Sequence, residues 1–184
     1  MEHLSDLKSN EEKGLKTHLK INPGLCGNLV KIDDNYAEVE LVTTPDMSVD
    51  THNLVHGGFT FGAADFCAMA AVNDPYVVLV NSNCKFLAPV KVGDKIVFKG
   101  KQLHQDSRKR EIEVEGFLND IKILEGRFMA VVLEKHVLSL KLAKSTEDIE
   151  KMNKQKIEVP AVDKKANDKK SKNKNRKDRE NSDS

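Results

Sequence analysis

Cysteine and tryptophan are scarce in this chain. Its 184 residues include no tryptophan, two tyrosines and three cysteines, which are Cys26, Cys67 and Cys84. Because the number of cysteines is odd and no two of them form a C-x-x-C pair, the sequence indicates neither a disulfide framework nor a zinc knuckle. Unpaired cysteines are typical of a reducing compartment, so we expect a cytoplasmic protein.

Long apolar runs are absent as well. The N-terminal stretch MEHLSDLKSNEEKG has no apolar core of a signal peptide, and no window approaches the roughly 18 apolar residues of a membrane span. The formal net charge is only +1, which gives the whole chain no electrostatic preference for nucleic acid. We expect no transmembrane segment and no sequence-specific nucleic-acid partner, since residues 1–22 are too few for a helix-turn-helix.

The sequence divides into three regions. Residues 1–22 carry spaced leucines among charges and predict a peripheral N-terminal helix, and residues 23–143 form the folded domain. Residues 144–184 form a charged, Lys-rich tail, with nine Lys/Arg against five Asp/Glu from Ala161 onward. From Lys164 onward the one apolar residue is Ala166, so we predict disorder beyond about residue 160. The tail is either a solubilising extension or a contact for an unidentified partner.

The folded region alternates between strand and helix patterns. Six segments have the alternating or β-branched character of strands, and they cover residues 25–31, 36–43, 76–86, 96–103, 110–118 and 121–133. Asp33-Asp34-Asn35 and Asn119-Asp120 predict tight turns between neighbouring strands. One long apolar helix lies between the second and third strands. This order favours an α+β fold in which an antiparallel sheet wraps around a central helix.

The central helix, GGFTFGAADFCAMAAV, contains a single charged residue, Asp65. A helix that is apolar nearly all round is expected to be buried. A carboxylate in such a helix must be paired, hydrogen-bonded or protonated, because burying an unpaired charge is very unfavourable. Asp65 is therefore a candidate functional residue, with a structural acid that bonds to neighbouring polar groups as the alternative.

Gly57 and Gly58 lie where this helix begins. The free amides of the first helical turn coincide with the positive end of the helix dipole, and glycine lets another oxygen approach closely. These amides predict a cradle for an oxyanion or a phosphate. Gly57 and Asp65 are separated by roughly 12 Å along one helix axis. Two antiparallel helices related by a two-fold axis can bring Gly57 of one chain beside Asp65 of the other, which predicts a homodimer with shared sites.

The pattern His56-Gly57-Gly58 with Asp65, followed by Lys85-Phe86-Leu87-Ala88-Pro89-Val90 and Gly93-Asp94, resembles the PaaI-like group of hot-dog-fold acyl-CoA thioesterases. The resemblance covers roughly residues 25–135. It implies a hot-dog fold, acyl-CoA or CoA as ligand, a homodimer or a larger tetramer, and no cofactor or metal.

The resemblance also implies roles for individual residues. The Gly57 amide polarises the thioester carbonyl, Asp65 of the partner acts as nucleophile or as general base for water, and His56 supports the loop or the thioester. The expected substrate-binding residues are Asn53, Gly58, Phe61 and Asn83. The basic triplet Arg108, Lys109 and Arg110 either binds the phosphates of CoA or is a solvated turn.

Other readings of the polar residues are less favoured. His52 and His56 are four residues apart, but they lack a third ligand for a metal. His104, Asp106 and Ser107 are nearly contiguous and cannot adopt the geometry of a hydrolase triad. The main prediction is hydrolysis of acyl-CoA to free acid and CoA, and the alternative is a non-catalytic acyl-CoA-binding sensor of the same fold.

Overall fold

The computed structural model describes residues 14–139 of the 184-residue chain. The predicted tail, residues 144–184, and the first 13 residues of the predicted N-terminal helix lie outside the described residues. Residues 14–22 form no helix, because Gly14 and His18 have φ angles of 88° and 51°. The prediction of a helix over this part of the N-terminal region was wrong. Instead, Leu15 is buried, and Asn73 at the end of the central helix bonds to the backbone of Gly14 and Lys16.

Residues 14–139 contain two α-helices, two 3₁₀ helices and one antiparallel sheet. The helices are α1 (Pro23–Cys26) and α2 (Gly57–Val72), and the 3₁₀ turns cover Pro45–Met47 and Val137–Ser139. The strands are β1 (Asn28–Asp33), β2 (Tyr36–Val42), β3 (Val77–Phe86), β4 (Lys95–Asp106), β5 (Lys109–Leu118) and β6 (Ile121–Val132). Their spatial order is β1-β2-β4-β5-β6-β3, and every neighbouring pair is antiparallel. The predicted α+β hot-dog fold is confirmed.

The first predicted strand began too early. Residues 23–26 form α1, because Pro23 occupies the first helical turn and the Asn22 side chain accepts a hydrogen bond from the Gly24 amide at 2.9 Å. Gly27 then adopts a φ of 85°, and β1 starts at Asn28. The predicted Asp33-Asp34-Asn35 turn is confirmed, with Asn35 in the left-handed region at φ 60°.

Helix α2 lies against one face of the sheet, here called the inner face. Small residues allow this close approach, since a Cβ added to Gly100 on β4 would lie 3.0 Å from the Cys67 carbonyl oxygen. Phe66 from the helix and Phe98 and Phe128 from the sheet are fully buried, and each such side chain contributes about 2–3 kcal/mol of transfer free energy. Side chains alternate along each strand, so Glu111, Glu113 and Glu115 of β5 lie on the opposite, outer face.

Strand β3 is an edge of the sheet. The edge of β3 that faces away from β6 has no neighbouring strand within residues 14–139. Val80 and Phe86 of this strand are 48% and 57% exposed. An edge strand of this length offers unpaired N–H and C=O groups to another chain. Within the described residues, the helices are too short or too polar to cross a membrane.

Candidate active site at the start of helix α2

His56 is the N-cap of α2. Its Nδ1 accepts a hydrogen bond from the Gly58 amide at 2.8 Å, so the neutral ring carries its proton on Nε2. A Cβ on Gly58 would lie 2.7 Å from the His56 Nδ1, which explains the glycine at that position. The backbone on both sides is fixed, since the His56 amide donates to the Met47 carbonyl at 2.9 Å and the Val55 amide to the Val90 carbonyl at 2.9 Å. The cap holds the direction of the first helical amides.

The Gly57 amide is the free donor of this turn. It donates no hydrogen bond to any atom of the described chain, whereas the Gly58 amide is used by the cap. The Gly57 carbonyl accepts from the Thr60 hydroxyl at 2.9 Å. The edge of the Phe86 ring lies against Gly57, where an added Cβ would be 3.2 Å from Phe86 Cε1. A free N–H at the positive end of a 16-residue helix is suited to a developing negative charge.

Asp65 lies two turns further along α2 and is largely buried. Its Oδ1 has no hydrogen-bond partner among the described residues, and burial raises the pKa of the carboxyl group to about 6. Two thiols lie near it, Cys26 of α1 and Cys84 of β3. The pKa of each thiol is raised, first by burial and second by the negative charge of Asp65. Neither thiol is a cation, so they leave the carboxylate without charge compensation.

One chain does not bring the two candidate groups to one substrate atom. Gly57 and Asp65 are eight residues apart on the same helix, which corresponds to roughly 12 Å along its axis. The single chain therefore provides a donor and a base that are both free and are separated.

The predicted substrate-binding residues fall into different surroundings. Asn53 lies in the loop before α2, with a φ of 63° and an exposed side chain, and its carbonyl accepts from the Val92 amide at 3.0 Å. Phe61 packs on Phe128 with 5.8 Å between ring centroids, so it is a core contact. Asn83 pairs in register with Arg127, which places it on the outer face of the sheet, away from Asp65. Of these residues, Gly58 adjoins Gly57 in the first turn of α2, and Asn53 lies in the loop that precedes the helix.

The basic triplet is at the far end of the sheet. Arg108, Lys109 and Arg110 form the β4–β5 hairpin, and Lys109 pairs with Val131, whereas Gly57 contacts Phe86 at the other end of β3. Along a ten-residue strand this separation is roughly 30 Å. Arg108 forms an exposed ion pair with Glu134 at 2.9 Å, and Arg110 donates to the Ser107 carbonyl at 2.9 Å.

The other sequence alternatives occupy the same hairpin and the loop before α2. Ser107 lies at the tip of the β4–β5 hairpin, with a φ of 51°. No hydrogen bond joins the side chains of His104, Asp106 and Ser107 in the described part of the chain. Among residues 14–139, no group of three or more His, Cys, Asp or Glu side chains is close enough to hold a metal ion.

Sequence reasoning assigned no catalytic or binding role to three residues that shape the site. Phe86 covers Gly57, and Cys26 and Cys84 flank Asp65. Phe86 was present in the Lys85–Val90 motif, but only the fold shows that its ring turns toward the helix start. The position of Cys26 depends on α1, which the sequence pattern had assigned to a strand.

Comparison with known proteins agrees with the fold. The family model described as "Thioesterase superfamily" matches residues 52–124. The crystal structure of the uncharacterized protein PH1136 from Pyrococcus horikoshii is 49% identical, with a TM-score of 0.66 over 67% of this chain and 95% of that one. The PaaI protein of the E. coli phenylacetic acid degradation operon shares the fold, with a TM-score of 0.57 and 21% identity over 61% of this chain and 83% of that one.

Two groups of curated relatives are longer than the matched region. A methylthioribose-1-phosphate isomerase from Aquifex aeolicus is 48% identical over 119 residues, which is 65% of this chain and 26% of that protein. The transcription factor FapR from Caldanaerobacter subterraneus is 25% identical over 129 residues, which is 70% of this chain and 64% of that protein. The chain therefore spans about a quarter of the first relative and under two thirds of the second.

Proposed function

Because the chain belongs to the hot-dog thioesterase superfamily, we propose that it binds acyl-CoA and hydrolyses the thioester to the free acid and CoA. The observation that carries this proposal is Asp65, a largely buried carboxylate with an Oδ1 that lacks a partner in the described structure. A group whose pKa is raised to about 6 is ionised at neutral pH and can still accept a proton.

The proposed enzyme is a homodimer formed through β3. Pairing of the two β3 edges would continue the sheet and set two α2 helices antiparallel across the two-fold axis. Asp65 of one chain would then lie beside Gly57 of the other, which removes the separation found in a single chain. All three cysteines are free thiols, which fits the reducing cytoplasm that we propose as its compartment.

The chemistry follows from the two free groups. The Gly57 amide donates to the thioester oxygen and stabilises the negative charge that develops on it. Asp65 either attacks the carbonyl carbon itself or removes a proton from a water molecule that attacks. With Asp65 as base, water forms the new carbon–oxygen bond, the carbon–sulfur bond breaks, and the proton that Asp65 has taken from water passes to the leaving CoA sulfur. With Asp65 as nucleophile, the carbon–sulfur bond breaks to give an acyl–Asp65 anhydride and CoA thiolate. Water then hydrolyses the anhydride to the free acid and the Asp65 carboxylate, and a proton released in that step neutralises the thiolate. His56 is a positioning residue, because its ring fixes the turn that aims the Gly57 amide.

The basic hairpin fits this arrangement only as part of the partner. Antiparallel pairing of β3 strands would place the partner's β4–β5 hairpin at the same end of the joined sheet as Gly57 of the first chain. Arg108, Lys109 and Arg110 would then be available to the phosphates of CoA, which is the first of the two alternatives that the sequence left open.

The direct test is thiol release from a panel of acyl-CoA esters. Purified full-length protein is incubated with each ester, free CoA is followed with a thiol reagent, and sedimentation gives the oligomeric state. Release of CoA by a dimer is the expected result. Absence of both turnover and binding for every ester would overturn the proposal.

A non-catalytic regulator is the second candidate. It is favoured by the 25% identity to the transcription factor FapR over 70% of the chain. In that case calorimetry would detect acyl-CoA binding at a dimeric site, and the thiol assay would detect no release above the rate in buffer.

A further inference from the structure

Two half-buried thiols approach Asp65 from different elements of the fold. Cys26 belongs to α1, and its Sγ lies 3.9 Å from the position of a Cβ added to Gly62. Gly62 precedes Asp65 by three residues, so both lie on one face of α2 and Cys26 packs against that face. Cys84 belongs to β3, and its Sγ lies against Gly126 of β6, where an added Cβ would be only 2.5 Å from the sulfur. Glycine is therefore needed at residue 126 to make room for this thiol.

Neither thiol supplies a hydrogen bond to the carboxylate. Within residues 14–139, Asp65 Oδ1 has no hydrogen-bond partner, whereas the third thiol, that of Cys67, donates to the carbonyls of Ala37 and Phe98 at 3.4 and 3.5 Å. A thiol is a weak donor, but a serine hydroxyl of similar shape is a strong donor and forms short bonds to a carboxylate. Cysteine at residues 26 and 84 therefore occupies the place of a donor without acting as one.

The other elements around α2 bring no compensating charge to Asp65 in the described part of the chain. The buried side chains of β4, β5 and β6 are all apolar. From the segment before α1, His18 packs on Phe66 with 6.3 Å between ring centroids, and from β2, the charge of Glu38 acts on Cys67. Burial, without a contribution from any neighbouring charge, raises the pKa of the Asp65 carboxyl group to about 6.

From this arrangement we infer that Cys26 and Cys84 are positioning residues that keep the Asp65 carboxylate free of hydrogen bonds from its own chain. The inference rests on the proposed role of Asp65 as nucleophile or base and deepens it. A hydrogen bond from a neighbouring hydroxyl would favour the charged form of the carboxylate and make it a weaker base. The two thiols fill the space beside the acid and leave its lone pairs for water or for the substrate carbonyl.

The test replaces each thiol with a hydroxyl and, separately, with a methyl group. The variants are Cys26→Ser, Cys26→Ala, Cys84→Ser and Cys84→Ala in the full-length chain, assayed by thiol release with the ester that gives the highest rate in the acyl-CoA panel. In each serine variant the limb of the pH profile of kcat/KM that reports Asp65 should move to lower pH by about one pH unit relative to the matched alanine variant. Groups that a partner chain contributes are common to all variants and cancel in this comparison.

A stability measurement tests the same inference without turnover. Urea unfolding at pH 4 and pH 8, at one protein concentration, gives the free energy of unfolding of each variant. A hydroxyl bond stabilises only the ionised carboxylate, so each serine variant should gain stability relative to its alanine partner between pH 4 and pH 8. The expected gain corresponds to about a tenfold lower proton affinity of the folded carboxyl group.

The outcomes separate this inference from the proposed function. Serine and alanine variants with the same pH limb and the same pH dependence of stability overturn the inference, and a shift in one pair alone overturns it for the other cysteine. The Cys26 pair remains measurable if substitution of Cys84 prevents folding, because α1 is a short and partly exposed helix. Absence of turnover and binding in the wild type overturns the thioesterase proposal, and the unfolding comparison then still decides whether the thiols keep Asp65 unpaired.

Discussion

On the outer face of the sheet, Glu111 and Glu113 lie 3.0 and 3.1 Å from the guanidinium of Arg127, and Glu125 lies 3.0 Å from the Lys85 ammonium. On the inner face, Asp65 has no such cation and its Oδ1 has no hydrogen-bond partner in residues 14–139. The hydrogen bonds from Lys85 and Lys122 lower the pKa of Glu125, whereas burial raises the pKa of Asp65 to about 6.

The difference between the outer glutamates and Asp65 indicates two different roles for a carboxylate. The outer acids are solvated and paired with cations, and exposed ion pairs of this kind contribute little to stability. Asp65 is held in surroundings that favour its neutral form, and this is unfavourable for folding at neutral pH. A chain selected for stability alone would place an alanine or asparagine there, so the acid fits a chemical role that only a poorly solvated carboxylate fills.

The largest expected effect follows from removing the Asp65 charge. Asp65→Asn retains the shape of the side chain and loses the base, so kcat for thioester hydrolysis should fall by about 10²-fold or more. Binding of acyl-CoA should persist, because the Gly57 amide and the Phe86 ring against it are unchanged. The matched control is Glu113→Gln on the outer face, which should retain wild-type kcat. Equal rates for wild type and Asp65→Asn would remove Asp65 from the chemistry.

The same substitution should change the pH dependence of stability. The carboxyl pKa rises from an ordinary value of 3.8 to about 6 in the folded state, so the folded chain binds this proton more tightly than the unfolded chain. The free energy of unfolding of the wild type therefore decreases as pH rises from about 4 to about 6, by up to about 3 kcal/mol. Asp65→Asn lacks this titration, so it should match the wild type near pH 4 and exceed it at pH 8.

Urea unfolding at several pH values measures this difference directly. Subtracting the wild-type free energy from that of Asp65→Asn cancels the titration of other groups, and Glu113→Gln provides the comparison on the outer face. A variant that is less stable than the wild type at pH 8 would mean that Asp65 has favourable partners when folded, which contradicts the proposed unpaired state.

Local sequence signals were sufficient to predict much of the fold. The apolar run with glycines at its start located α2 over the observed range Gly57–Val72, and the Asp33-Asp34-Asn35 turn located the β1–β2 hairpin. Both signals are short-range, because they depend on helix periodicity and on residues that tolerate positive φ. Asp65 could be singled out in the same way, since one charge in an apolar helix is visible without a structure.

The remaining features depend on contacts between distant residues. The face on which Asn83 lies follows from its register with Arg127, and the sequence gives no access to that register. The helix predicted over the N-terminal leucines is absent from residues 14–22, where Asn73 binds the backbone of Gly14 and Lys16. The distance between the Arg108–Arg110 hairpin and Gly57 likewise follows from the strand pairing. The two lie at opposite ends of the sheet, so the full length of a strand separates them.

A smaller effect, on the affinity for CoA, is expected from substitutions in the β4–β5 hairpin. If the partner's hairpin contacts CoA phosphates, Arg108→Ala with Arg110→Ala should weaken CoA binding by roughly 1–3 kcal/mol and reduce its salt dependence. Calorimetry with CoA at two salt concentrations measures both quantities. Lys99→Ala removes an exposed cation from the outer face of β4, away from the proposed dimer edge, and serves as the control. Unchanged affinity and salt dependence in the double variant would assign the triplet to a solvated turn.

The smallest effect should come from the outer face itself. Arg127→Ala removes the cation shared by Glu111 and Glu113, but these side chains are about one third to one half exposed and remain hydrated without it. Exposed ion pairs contribute about 0–1 kcal/mol, so the free energy of unfolding should fall by no more than about 1 kcal/mol. The thioester kcat should stay at the wild-type value, because Arg127 lies on the face opposite α2. Thermal unfolding and the thiol assay on one preparation give both numbers. A loss of stability larger than the pH-dependent change at Asp65, or a loss of rate near 10²-fold, would mean that the outer carboxylates matter as much as the buried one, and the contrast between the two faces would fail.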